Sequence, residues 1–118
     1  MLRYTRVEPH TGFTFTRNLV ISAGIPVWLG DYGPDARRMD CDDNLYWDVT
    51  GAPVLNKHGE AALTFADWQA LGHDRHSRVA DPRCANLAAR DFTLAPDSPL
   101  WEMGFLPFSL TEVGQRKV

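Results

Sequence analysis

Polar and apolar residues alternate twice in the same way along this chain. At 13–16 Phe13 and Phe15 alternate with Thr14 and Thr16, and at 39–42 Met39 and Cys41 alternate with Asp40 and Asp42. Alternation of period two describes a strand with one buried and one wetted face. Each strand runs to an asparagine and then into a second β-forming run, Asn18-Leu19-Val20-Ile21 and Asn44-Leu45-Tyr46-Trp47, 26 residues apart throughout. Self-similarity at a fixed period is the mark of stacked repeats. Asparagine suits the corner because it tolerates left-handed backbone and its amide bonds nearby main chain. Stacked copies then place one amide over the other as a ladder.

Between the copies the chain is dense in breakers, Gly24, Pro26, Gly30, Gly33 and Pro34, around the short apolar run Val27, Trp28 and Leu29. One short strand flanked by loops is expected there. Residues 50–53 read as a turn and 54–60 as an exposed connection. Thr64 and Asp67 then form a capping box that opens a helix, with Gly72 placed to end it. Phe65, Trp68 and Leu71 give this helix an aromatic face, expected to lie on the side of the strand stack. Beyond Asp81-Pro82 the punctuation by Asp91, Pro96, Asp97, Ser98-Pro99, Gly104 and Pro107 reads as an irregular cap with short extended pieces, frayed from 114 to 118.

In this order the phrases are specific enough to name a family. The series 13–21, Asp43-Asn44-Leu45-Tyr46-Trp47, Phe65-Ala66-Asp67-Trp68 through Asp74, Ser77, Asp81-Pro82, Asp91-Phe92-Thr93-Leu94, Ser98-Pro99 and Gly104-Phe105-Leu106-Pro107 resembles the C-terminal end of bacterial right-handed parallel β-helix proteins, the pectate-lyase-like group. Arg83-Cys84 and Leu100-Trp101 depart from that pattern. The resemblance implies an all-β fold: the last rungs of a right-handed parallel β-helix at 1–52, a connection and short flanking α-helix at 53–80, and a loop-rich C-terminal cap at 81–118. It also implies a polysaccharide or oligosaccharide partner and a parent of lyase or glycoside hydrolase type, usually secreted or periplasmic. Two rungs leave the first sheet edge and the core open. The chain is therefore expected to be one end of a larger protein, inactive by itself, with the N-terminal β-helix portion as its partner. A non-catalytic glycan-binding or adhesive β-helix is the alternative.

Composition changes this picture little. With 118 residues, 44% of them hydrophobic, the chain has the size and apolar content of one folded domain. Twelve Lys and Arg against 15 Asp and Glu leave no basic stripe for nucleic acid. No apolar run approaches the roughly 20 residues of a membrane-spanning helix. The first residues lack the apolar stretch of a secretory signal, so the chain as written is expected to stay in the cytoplasm. Cys41, in the repeat position of Phe15, is expected to be a buried free thiol.

Candidate chemistry is sparse. Asp40 and Asp42 share the wet strand face at roughly 6.5 to 7 Å along the strand, a spacing that suits paired carboxylates of glycoside hydrolysis. With Asp43 they suit calcium in the parent protein instead, and a solvated acidic face is the ordinary alternative. His73, Asp74 and His76, with His58, lack zinc-site spacing. No metal site or cofactor is expected in this chain, and Asp74 and Ser77 are expected to fix the turn after the helix, with the histidines exposed. Among the tryptophans, Trp47 and Trp68 are expected in the core and Trp28 in the loop, partly exposed for stacking on a sugar ring.

Overall fold

A computed structural model describes residues 1–4, 9–30, 39–58, 61–107, 109, 111, 113 and 114. Short strands dominate it: β1 (Leu2–Tyr4), β2 (Phe13–Thr16), β3 (Leu19–Ser22), β4 (Trp28–Gly30), β5 (Met39–Asp42), β6 (Leu45–Asp48), β7 (Leu55–His58), β8 (Ala61–Thr64), β9 (Arg78–Val79), β10 (Cys84–Asn86) and β11 (Asp91–Leu94). Two short helices accompany them, α1 (Phe65–Ala70) and α2 (Pro99–Glu102). The chain is thus β-rich, built of small sheets of two to four strands, parallel and antiparallel, with no closed barrel among the described residues. The breakers Gly33 and Pro34 and the tail from 115 lie outside the described residues.

The repeated phrases pair with each other in parallel. β2 lies on β5 with Phe13 beside Met39 and Phe15 beside Cys41, and β3 lies on β6 with Leu19 beside Leu45 and Ile21 beside Trp47. β1 and β4 pair in the same direction, with Leu2 beside Trp28. All three pairings keep the 26-residue offset seen in the hydrogen bond from the Asn18 amide to Asn44 Oδ1 at 2.9 Å. Asn18 Nδ2 also donates to Asn44 Oδ1 at 3.2 Å, so the expected amide ladder is present. The left-handed residues at the corner are the ones before the asparagines, Arg17 at φ 57° and Asp43 at φ 56°. The asparagine is there for its side chain, and its neighbour takes the strained backbone.

Within the expected exposed connection, the described residues 54–58 instead form an edge of the core and a strand, and 59–60 lie outside the described residues. Val54 and Asn56 are buried, and β7 pairs in parallel with β4, Leu29 beside Lys57, and antiparallel with β8. Asn56 Oδ1 accepts from the Trp28 amide at 3.1 Å, so a polar residue unfavourable to strands is retained by a specific bond.

The core comprises Val20, Val27, Trp28, Met39, Cys41, Tyr46, Val54 and Trp68, with Leu2, Phe15, Leu63, Phe65 and Leu71 packed against it. Cys41 is a buried free thiol as expected. Thr64 and Asp67 make the reciprocal capping box at α1, and Gly72 follows with φ 94°. Past the helix the chain forms the next layer: the Asp74 amide donates to the Cys41 carbonyl at 2.7 Å, Arg78 to Asn44 at 2.9 Å and Ala80 to Tyr46 at 3.1 Å. Trp68 of α1, 0% exposed, enters the core, and the helix packs beside β7 and β8.

In the segment from 81 onward, β10 and β11 form an antiparallel hairpin that faces the outer side of β3 and β6. Ser98-Pro99 opens α2 in place of a turn: the Ser98 hydroxyl accepts from Leu100 N while Pro99 stands at the first helical position. Ser98 Oγ also donates to the Pro82 carbonyl at 2.6 Å, and Arg78 on β9 meets Glu102 at 2.9 Å, which ties α2 to the strands.

Candidate functional site

Three features carry polar chemistry or a cavity. The first is a buried knot where α1, β5 and β6 meet. Asp74, 1% exposed, accepts on Oδ2 from Trp68 Nε1 at 2.8 Å, Tyr46 Oη at 2.9 Å and Cys41 Sγ at 3.2 Å. On Oδ1 it accepts from Ser77 Oγ at 2.5 Å and Asn44 Nδ2 at 3.1 Å. Burial and the facing Asp74 carboxylate push the Cys41 thiol and the Tyr46 phenol far above their ordinary values, so neither is a nucleophile or base near neutrality. Asp74 and Ser77 fix the turn as expected. His73 does not share the expected exposure: it is 2% exposed and stacks on Trp68 at 4.0 Å.

The second feature is the acidic corner. Asp40 is exposed and Asp42 half-buried on one strand face, as the alternation requires. Asp42 is already engaged. Its Oδ1 accepts from the His76 amide at 2.7 Å and its Oδ2 lies 2.6 Å from His76 Nδ1. Burial alone would raise the Asp42 carboxyl, but the bonds from His76 outweigh it and hold the group below its ordinary value, while the carboxylate raises His76. Asp42, Asp43 and His76 each offer a ligand atom within 4.8 Å of the others. Sequence separated this group into two unrelated clusters, because the 32 residues between Asp43 and His76 contain β6, β7, β8 and α1. His58 lies on β7, and its side chain is outside what is described.

The third feature is a groove of about 920 Å³ between the outer face of β3 and β6 and the β10–β11 hairpin. Ile21, Trp47, Val49 and Phe92 line it with Asp81 and Asn86. The acidic corner contributes nothing to this lining. The tryptophans exchange their expected places here. Trp28 is 2% exposed, with Phe15 edge-on at 5.3 Å and Phe13 stacked at 6.2 Å, so its ring is closed to a sugar. Trp47 is the half-buried, groove-lining ring, because alternation in β6 turns Tyr46 and Asp48 inward and Trp47 out.

Among the described residues no helix is long and apolar enough to cross a membrane. No family model, no curated protein and no solved structure matches the chain.

Proposed function

We propose that this chain forms the last coils and the end closure of a right-handed parallel β-helix, in a polysaccharide-acting protein of lyase or glycoside hydrolase type, and performs no catalysis by itself. The carrying observation is the register: three strand pairs hold one 26-residue offset, and an asparagine ladder joins the corners of two of them. Parallel strands joined through crossovers are overwhelmingly right-handed. The polysaccharide context rests on the resemblance of the coil and helix phrases to the pectate-lyase-like group. Catalytic silence follows from the acidic corner, where both oxygens of Asp42 are bonded to His76 and leave Asp40 without a free partner carboxylate on its strand.

A second reading, a glycan-binding surface without catalysis, is favoured by the groove. Trp47 and Phe92 offer ring faces for sugar stacking, and Asp81 and Asn86 supply acceptors and a donor at its rim. Affinity electrophoresis against acidic and neutral polysaccharides tests both. Retardation in at least one gel without new reducing ends or unsaturated uronate absorbance is expected. Loss of retardation in Trp47→Ala assigns binding to the groove, and equal retardation of the variant removes the second reading. A chain retarded by no polysaccharide removes the carbohydrate context, and cleavage by the chain alone removes catalytic silence.

A further inference from the structure

We propose that Asp42, Asp43 and His76 form a binding site for a first-row divalent cation of the zinc type, joining the second coil to the layer that closes the stack. The imidazole separates this corner from an ordinary acidic surface, since oxygen-only clusters suit calcium whereas a nitrogen with two carboxylate oxygens suits zinc and its neighbours. Three protein donors with the remaining position open to water is a common zinc arrangement.

The geometry comes from the fold. Asp42 ends β5 on the wet face, and Asp43 takes the left-handed corner at φ 56°. His76 reaches the same corner from the next layer, brought there by the Ser77 hydroxyl that accepts from the Asn44 amide at 2.8 Å and by its own amide bond to Asp42. The ladder that aligns Asn44 with Ser77 therefore aligns Asp43 with His76, one residue earlier in both layers.

The donor atoms are within 4.8 Å of one another, and the closest pair, His76 Nδ1 and Asp42 Oδ2, is at 2.6 Å. Zinc bonds of about 2.0 Å in tetrahedral geometry set donors roughly 3.3 Å apart. The widest separation must therefore close by up to about 1.5 Å while the His76–Asp42 pair opens slightly. The side chains have that freedom, as His76 is 75% and Asp42 31% exposed. The cation replaces the proton held between His76 Nδ1 and Asp42 Oδ2, and that proton leaves to solvent. Among the described residues the Asp43 carboxylate makes no hydrogen bond or ion pair, and Arg17, at the same corner one coil earlier, does not pair with it. Two carboxylates thus face one imidazole, with the Arg75 guanidinium the other positive charge acting on it.

The test is calorimetric titration of the metal-free full chain with zinc chloride, paired with melting curves. One saturable site per chain and a zinc-dependent rise in Tm are expected. His76→Ala and Asp43→Asn should each weaken binding by at least the roughly 10- to 100-fold that loss of even an outer partner of a metal costs, and should abolish the Tm rise. Asp43 is exposed and Asn tolerates the left-handed corner, so the Asp43→Asn melt in chelator should match wild type, while His76→Ala loses in chelator no more than its surface pair with Asp42 contributes. No saturable zinc binding by wild type overturns the site. Equal zinc affinity of His76→Ala, or calcium binding as tight as zinc, overturns it as well.

Discussion

Asp48 shows how one side chain joins the two copies of the repeat. It is 4% exposed, and its Oδ2 accepts from Ser22 Oγ at 2.9 Å and from the Gly24 amide at 2.6 Å, both on or just after β3. Its Oδ1 accepts from the Thr50 amide at 2.9 Å and the Thr50 hydroxyl at 2.5 Å. The Thr50 hydroxyl bond, against the cost of burial and with help from the Gly24 and Thr50 amides, holds the carboxyl well below the usual carboxylate range. A folded-state value below the unfolded one, about 3.9, contributes stability that is present above that pH and lost as pH falls through the folded value. Asp48→Asn should therefore be less stable than wild type at pH 7, and the gap should narrow as pH falls below about 4. Denaturant melts at pH 7, 5 and 3 measure this gap. A constant gap would show that the charge of Asp48 contributes nothing.

At the scale of elements, the closing layer is organised around a single carboxylate. Asp74 gathers α1 through Trp68, β5 through Cys41, β6 through Tyr46 and the approach to β9 through Ser77. Asp74→Ala would leave several of these donors buried without an acceptor, each costing about 1–3 kcal/mol. The variant should lose more than about 3 kcal/mol, and the amides of α1 and β9 should exchange faster before those of β5 and β6. Asp74→Asn, which keeps one acceptor oxygen, should fall between. A loss within about 0.5 kcal/mol, the range of neutral surface changes, would mean that packing alone holds the layer.

The same layer explains what was legible in the sequence. The 26-residue echo was visible because Asn18 and Asn44 share type and spacing, and the capping box at Thr64 was visible because its signal is local. The third layer was hidden. Asp74 stands on Cys41 and Ser77 on Asn44 at an offset of 33, since β8 and α1 are inserted into that turn of the chain, and no residue type is repeated. Leu55, Asn56, Lys57 and His58 carry weak strand propensity, and their pairing depends on a distant β4. Trp28 and Trp47 were exchanged for a related reason: a three-residue strand among breakers has too little periodicity to show its inward face, whereas the outward turn of Trp47 depends on which neighbours fill the core.

For the whole molecule, the two sides differ. Trp68 and the Asp74 knot cover one side of β5 and β6, while among the described residues β2 and β3 remain edge strands, with Phe13 of β2 42% exposed. Edges of this kind invite a further strand, and a stack of coils accommodates one because each coil contacts only its neighbours. A second copy of 13–38 inserted after residue 38 tests this directly. In a coil stack the new strands pair on both sides at the 26-residue offset, Asn18 and Asn44 gain an intervening asparagine, and α1 still meets its own layer. The lengthened protein should melt cooperatively at a Tm no lower than wild type, with strand circular dichroism increased in proportion to the added coil. A globular packing of unrelated sheets has no place for 26 residues between β4 and β5. Insertion would then separate Met39 from Phe13 and abolish the cooperative melt, an outcome that would refute the stacked-coil architecture.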